Sequence, residues 1–293
     1  MSTTAELILD AKSDLGEGPV WDHENNVLYW VNITAGEVHT YDPATGDDRV
    51  VDCGQPVGTV VGRESGGLMV AAAGGFACLD IDSGRLEIVA NPEADSPDMR
   101  FNDGKCDPAG RFWAGSLHKG EDTPVGSLYM LNTDMSVYTG IDGGITIANG
   151  IVWTSDRSTM YYIDTPTQRV DAFDYDDATG QITNRREAFP VPEANGWPDG
   201  MAIDSEDKVW VAHWGGWNVI RYDPATGEEL LRIDVPASQT TACAFGGPEL
   251  KHLYITSAAY GLDDAAHQKE PHAGGLFMIE VDVPGVPSPK FAG

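Results

Sequence analysis

The sequence predicts an all-β protein, a six-bladed β-propeller whose four-stranded antiparallel blades surround a central channel. Two repeats predict this fold: an aromatic-rich strand pattern that recurs six times and a hairpin turn that recurs three times. The composition agrees, because 34 glycines and 18 prolines indicate many turns and no long amphipathic helical periodicity is present. We expect a single domain over residues 1–293.

The recurring strand pattern gives the number of blades. Each copy is a polar turn followed by a short run of apolar and aromatic residues, at positions 26–31, 67–71, 110–115, 159–164, 208–212 and 252–256. Successive copies are about 40 to 49 residues apart, close to the length of a four-stranded propeller blade. A two-sheet sandwich is the alternative, but it does not explain this period.

The recurring turn predicts hairpins within the blades. Tyr-Asp-Pro-Ala-Thr-Gly at 41–46 is repeated at 222–227, and a looser copy stands at 175–180. Proline fixes φ and glycine can adopt a positive φ, so each copy is typical of a tight connection between antiparallel strands.

The charge limits the choice of partners. The net charge is −28, from 46 acidic and 18 basic residues spread along the chain. Nucleic acid and anionic membranes would be repelled, so neither is expected as a partner. The pattern predicts a solvated acidic surface and suggests a halophilic or marine source, because salt screens self-repulsion.

The cysteines and the first residues predict a cytoplasmic protein. The four cysteines form no CxxC pair, which indicates buried, reduced thiols: Cys53, Cys78, Cys106 and Cys243. The chain starts without the basic and apolar regions of a signal peptide, and no stretch approaches the roughly 20 apolar residues of a membrane span. We expect a monomer or a weak homo-oligomer.

Four short segments predict a ligand site. Each places a carboxylate or amide beside glycine or proline just before a predicted strand, at 15–21, 100–105, 149–150 and 197–201. Singly, Glu17, Asn102, Asn149 and Asp199 are ordinary turn residues. At similar places in successive repeats, they predict oxygen ligands that converge on one divalent cation in the central channel. The set suits Ca²⁺ best, although other divalent ions would be accepted.

Three nearby residues each have two interpretations. Arg100 is either half of a surface ion pair or a clamp for an anion or hydroxyl. Glu121 lies either in a mobile solvated loop or in a loop that contacts substrate, and His213 is either a satisfied turn residue or part of the channel mouth. The chain has no Gly-x-Ser-x-Gly elbow, P-loop or dinucleotide-binding glycine pattern.

These motifs together resemble the SMP-30/gluconolactonase/regucalcin-like family of six-bladed propellers. The resemblance covers nearly the whole chain, through segments 15–19, 101–105, 107–111, 149–150, 170–175, 198–200, 245–248 and 273–277. Segments 214–217 and 243–248 look more like bacterial sugar-acid lactonases, such as xylonolactonase, than like animal members.

The resemblance implies hydrolysis of sugar lactones with one divalent metal ion, Ca²⁺ first, with Zn²⁺, Fe²⁺, Mn²⁺ or Mg²⁺ as alternatives. By that resemblance Glu17, Asn149 and Asp199 are the metal ligands, and Asp199 is also the general base. Residues Arg100, Asn102 and Glu121 correspond to positions that bind the sugar hydroxyls. Two other functions stay open: a calcium-dependent aryl-ester or organophosphate hydrolase at the same site, and a non-catalytic calcium-binding protein.

Overall fold

The computed structural model of this protein describes residues 3–293 and confirms the predicted fold class. Over that range, 24 β-strands form six four-stranded antiparallel sheets, which are the blades of a propeller. The remaining regular structure is one short α-helix, α1 (Asp264–Lys269), and two 3-10 turns, Thr165–Thr167 and Glu193–Asn195.

Five blades are each built from four consecutive strands. The first contains β2 (Gly16–Asp22), β3 (Val27–Asn32), β4 (Glu37–Asp42) and β5 (Asp47–Asp52). The second contains β6 (Val57–Gly62), β7 (Leu68–Ala72), β8 (Gly75–Leu79) and β9 (Leu86–Ala90). The third contains β10 (Met99–Cys106), β11 (Phe112–His118), β12 (Gly126–Leu131) and β13 (Val137–Ile145). The fourth contains β14 (Ala148–Trp153), β15 (Thr159–Asp164), β16 (Arg169–Tyr175) and β17 (Ile182–Pro190). The fifth contains β18 (Trp197–Ile203), β19 (Val209–Trp214), β20 (Asn218–Tyr222) and β21 (Glu229–Asp234).

The sixth blade closes the ring with strands from both ends of the chain. It contains β22 (Thr240–Gly246), β23 (His252–Ser257), β24 (Leu276–Glu280) and β1 (Glu6–Leu9). Strand β1 pairs antiparallel with β24, so the first strand of the chain is the outermost strand of the last blade. Backbone hydrogen bonds thus join the two ends of the chain and leave no open gap between the first and last blades.

The predicted aromatic strands are the second strand of every blade, namely β3, β7, β11, β15, β19 and β23. Their large side chains fill the space between neighbouring blades, and Trp30, Trp113 and Trp210 are almost fully buried. The six-fold sequence period is therefore the period of the packed core.

The predicted hairpins connect the third and fourth strands of three blades. Gly46, Gly180 and Gly227 have φ values of +79°, +76° and +74°, as the turn requires. The aspartate four residues earlier stabilises each turn, as where the Asp42 carboxylate accepts a hydrogen bond of 2.8 Å from the amide of Ala44.

A buried aspartate organises the turn before the second strand in two blades. Asp107 is fully buried and accepts hydrogen bonds from Arg111 Nε at 2.7 Å, the Tyr175 hydroxyl at 2.8 Å and Trp113 Nε1 at 3.0 Å. Asp204 accepts in the same way from an arginine and a tryptophan. These carboxylates join adjacent strands through buried, fully paired polar groups.

Removing the Asp107 carboxylate should strongly destabilise the fold. In Asp107→Ala, the guanidinium of Arg111, which is only 6% exposed, would lose its buried counter-charge. Loss of one partner of a buried ion pair costs about 3–5 kcal/mol. Urea denaturation should show this loss, whereas the matched variant Asp134→Ala, in an exposed turn, should change stability far less. Equal effects of the two substitutions would contradict the assigned role of Asp107.

The prediction that the cysteines are buried is correct for two of the four. All four thiols are free; Cys106 and Cys243 are buried, whereas Cys53 and Cys78 are partly exposed. No helix in residues 3–293 is long and apolar enough to cross a membrane.

The acidic surface should make folding salt-dependent. With a net charge of −28, self-repulsion lowers the free energy of unfolding at low ionic strength. The melting temperature should therefore rise between dilute buffer and about 1 M KCl, where the Debye length is near 3 Å. A melting temperature unchanged over this range would show that the charges are too dispersed to affect stability.

Candidate active site

The innermost strands bring the predicted ligand residues to one end of the channel. Glu17 lies on β2, Asn102 on β10, Asn149 on β14 and Asp199 on β18, and all four line one cavity of about 320 Å³. Arg100 and Glu121 line the same cavity, so the structure brings together all six predicted site residues.

A β-bulge lies at or beside each of these four ligand positions. The register of the inner strand shifts between Glu17 and Val20, and the three other strands carry a corresponding shift, at Phe101/Gly104, Asn149/Ile151 and Pro198/Met201. A bulge bends the strand and redirects a side chain, which is why bulges are frequent at active sites. The bulges on β6 and β22, near Gly58 and Thr241, carry no carboxylate or amide.

Glycines next to the ligands allow the inner strands to approach closely. A Cβ on Gly200 would lie 2.4 Å from the Cβ of Ala242, and one on Gly150 would lie 2.6 Å from the Cβ of Met201. Neither separation is compatible with a side chain, so the Asn-Gly and Asp-Gly pairs are requirements of the channel as well as turn signals.

The floor of the cavity holds two carboxyl groups in contact. Glu17 and Asp199 are buried, at 4% and 5% exposure, and their side chains are within hydrogen-bond reach of each other. Burial, and then the charge of Asp103, raise the pKa of Glu17 to about 8. Burial, followed by the charges of Glu17 and Asp103, raises the pKa of Asp199 well above its usual value.

These carboxyl groups fit a divalent cation. Asp199 Oδ1 is buried without a hydrogen-bond partner. In residues 3–293, no three His, Cys, Asp or Glu side chains form a metal-holding group. The donors are instead two carboxylates with amide oxygens beside them, a set of hard oxygen ligands without soft ones. A cation at this position would offset the burial and the repulsion that together raise both pKa values.

A chain of hydrogen bonds orients the two amides. Asn102 Nδ2 donates to Asn149 Oδ1 at 2.9 Å and to the carbonyl of Ala148 at 2.7 Å. Asn149 Nδ2 donates to Thr165 Oγ1 at 2.8 Å, and this hydroxyl donates to the carbonyl of Pro198. Because both amide NH₂ groups donate to fixed protein partners, the amide oxygens are held in fixed positions.

A polar wall rises from Asn102 towards the mouth of the cavity. The Arg100 guanidinium donates to Asn102 Oδ1 at 2.6 Å and to Glu121 Oε1 at 2.8 Å. Arg100 is largely buried and Glu121 is 38% exposed, so the pair extends from the floor to solvent. This arrangement favours the substrate-contacting interpretation of the Glu121 loop.

The opposite wall is apolar and aromatic, and the sequence did not predict it. Trp197 and Tyr260 line the cavity although their side chains are 48% and 47% exposed, and Trp214 lies beside them. Large aromatic groups left exposed at the rim of a cavity favour contact with a ligand. The one signal for this wall in the sequence was Trp197, two residues before Asp199, but the segment Trp-Pro-Asp-Gly is equally typical of a turn.

The structure also shows the surroundings of two other polar residues, Asp103 and His213. Asp103, beside Asn102, is buried, and its Oδ2 has no hydrogen-bond partner; its charge acts on both Glu17 and Asp199. His213 does not line the cavity: it is completely buried, with Nε2 3.3 Å from the Tyr222 hydroxyl. His213 lies within β19 and its Nδ1 has no hydrogen-bond partner, so the channel-mouth and satisfied-turn interpretations are both wrong. Burial lowers the pKa of His213 to about 3, which makes it a neutral core histidine.

Comparisons with known proteins agree with this fold and cavity. Residues 15–259 match the family described as SMP-30/Gluconolactonase/LRE-like. The chain belongs to this family. The match includes all six predicted site residues, from Glu17 to Asp199.

Relatives within the family have different names. The chain is 39% identical to regucalcin of Xenopus laevis, over 100% of this chain and 99% of that protein. It is 38% identical to YvrE of Bacillus subtilis, provisionally named a sugar lactone lactonase, over 99% of each. Overall identity thus does not separate animal from bacterial relatives.

Solved structures show the same fold. A protein described as calcium-binding, regucalcin from Agrobacterium tumefaciens, has a TM-score of 0.94 at 30% identity and covers 99% of this chain and 98% of its own. A gluconolactonase from Xanthomonas campestris has a TM-score of 0.76 at 22% identity, covering 95% and 89%. The latter likeness concerns the fold alone.

Proposed function

We propose that this protein is a divalent-metal-dependent lactonase that opens sugar lactones to aldonic acids. The observation that carries the proposal is the contact of two buried carboxyl groups, Glu17 and Asp199, at the floor of a cavity with one polar wall. Family membership and the provisional naming of YvrE support it.

Glu17, Asn149 and Asp199 would hold the metal ion. Their oxygen ligands favour Ca²⁺, with Mg²⁺, Mn²⁺, Fe²⁺ or Zn²⁺ as alternatives. When bound, the ion supplies positive charge that polarises a lactone carbonyl and stabilises its developing oxyanion.

Asp199 is the proposed general base. Its unpartnered Oδ1 can accept a proton from a water molecule as that water attacks the carbonyl carbon. The ring C–O bond then breaks, and the same proton passes to the departing ring oxygen. The products are one carboxylic acid and one new hydroxyl, so the reaction consumes only water.

The walls would position the substrate. Arg100, Asn102 and Glu121 offer donors and acceptors along one wall, which suits the hydroxyl groups of a sugar lactone. Trp197 and Tyr260 provide flat apolar surfaces opposite, against which the C–H face of a ring can pack.

The aromatic wall also favours a second candidate, a calcium-dependent aryl-ester or organophosphate hydrolase. An aryl group would pack on Trp197 and leave Arg100 and Glu121 without hydroxyl partners. Since a site built to hydrogen-bond hydroxyls rejects substrates that lack them, the polar wall favours the sugar lactone.

Acid release measured with a pH indicator tests the proposal. Aldonolactones should be hydrolysed with a kcat/KM at least about 100-fold above that for phenyl acetate and paraoxon, because only the former satisfy the polar wall. The reverse order would establish the second candidate. No hydrolysis of either class by metal-loaded protein would favour a non-catalytic calcium-binding protein.

A further inference from the structure

A second cavity, of about 330 Å³, lies further along the same inner strands. On three of these strands, the first residue that lines this lower cavity comes three positions after a residue of the active site: Lys105 after Asn102, Val152 after Asn149 and Ala202 after Asp199. Three residues of strand span about 10 Å. The two cavities therefore lie at opposite ends of the channel.

The lower cavity has well-formed apolar walls. Trp153, Ile203 and Phe245 line it, and the C-terminal segment 286–289 closes one side. That segment is held at both ends, since the amide of Ser205 donates to the carbonyl of Pro284 at 2.9 Å and the amide of Phe291 donates to that of Gly62 at 2.8 Å. The cavity has the size of a small-molecule site.

The charged residues that line the lower cavity are both cationic, although the whole protein carries a net charge of −28. Lys105 Nζ donates to the carbonyl of Met201 at 2.6 Å; within residues 3–293 no carboxylate lies at ion-pair distance from it, and its charge acts at longer range on the buried carboxyl of Glu17. Arg157 lies half exposed, 3.1 Å from Asp177. A partly buried ammonium without a carboxylate in direct contact favours an anionic ligand.

We propose that the lower cavity binds a small amphipathic carboxylate. Its apolar chain packs against Trp153, Ile203 and Phe245, and its carboxylate accepts hydrogen bonds from Lys105 and Arg157. A neutral apolar molecule would leave the ammonium of Lys105 unpaired. This ligand differs from the polyhydroxylated, uncharged lactone of the proposed function, and the cavity that would hold it shares no lining residue with the active site.

Calorimetric titration of the full-length protein with octanoate tests this proposal. One octanoate should bind per chain, and octan-1-ol, which lacks the charge, should bind at least about tenfold more weakly. Lys105→Met should weaken octanoate binding by at least about tenfold. Arg157→Gln should weaken it about two- to fivefold, as expected for a half-exposed pair. Arg85→Gln, which removes an exposed arginine elsewhere, should leave the affinity unchanged.

Trp197→Ala distinguishes the two cavities. This variant alters only the active-site cavity, so the affinity of the lower cavity for octanoate should not change. A large loss in Trp197→Ala would place the ligand in the active site and overturn the proposal. An absence of saturable binding up to about 10 mM octanoate would also overturn it. Lys105 contacts β18, so its replacement also affects packing. If Lys105→Met does not fold, Arg157→Gln decides alone, and an unchanged octanoate affinity in that variant would contradict the proposed site.

Discussion

Asp199→Asn should reduce turnover of a sugar lactone by about 10²- to 10⁴-fold, the usual loss when a general base is removed. The asparagine keeps the size of the side chain and one potential ligand oxygen, but it cannot accept the proton of the attacking water. Metal affinity should fall only modestly, because Glu17 and Asn149 remain. Steady-state kinetics at increasing metal concentration would measure both effects.

Asn149→Ala is the matched control for this substitution. It removes a neutral ligand and no proton acceptor, so excess metal should restore a large part of its activity. The difference between the two variants at saturating metal is the test of the general-base role. If Asp199→Asn recovers as fully as Asn149→Ala, Asp199 is only a ligand and the base lies elsewhere, with Glu17 as the next candidate.

Removal of divalent metal should abolish lactone hydrolysis. Without the ion, no divalent charge offsets the buried carboxyl groups of Glu17, Asp199 and Asp103, and none polarises the lactone carbonyl. Chelated protein, verified by elemental analysis, should be inactive, and single metals added back should rank the ions. Full turnover in the stripped protein would sink this prediction.

Thermal denaturation gives a second readout that does not depend on activity. A metal that binds the folded state alone stabilises it by about 2.7 kcal/mol at 100 times its Kd. The melting temperature of the stripped protein should therefore rise on addition of Ca²⁺. Glu17→Gln and Asp199→Asn should reduce this rise, whereas Glu228→Gln, in an exposed turn, should preserve it.

Much of the fold could be predicted because its signals are local and repeated. The six aromatic strands give the number of blades and the three repeated turns give hairpins within blades, and both are present as predicted. The N-terminal closure was not predicted, because pairing of β1 with β24 joins residues about 270 positions apart, and period alone does not show which ends meet.

The candidate site, too, could be predicted only in part from the sequence. Glu17, Asn102, Asn149 and Asp199 could be found because each stands at a similar point of its repeat, although the structure places them within the innermost strands rather than just before a strand. Asp103, next to Asn102, could not be assigned, because two adjacent polar residues in a turn differ only in the direction that the bulge gives each side chain.

The sequence by itself determined the repeat, the turns, the acidic surface and the residue types available to bind a cation. Tertiary structure alone decided that Trp197 and Tyr260 share a wall and that His213 is a neutral core residue. It also decided that an apolar cavity lined by Lys105 and Arg157 lies at the other end of the channel. The physical reason is that burial and the approach of charges depend on residues from different blades. The distances between such groups raise the pKa of Glu17 and bring Lys105 to the carbonyl of Met201. They exist only when the ring is closed.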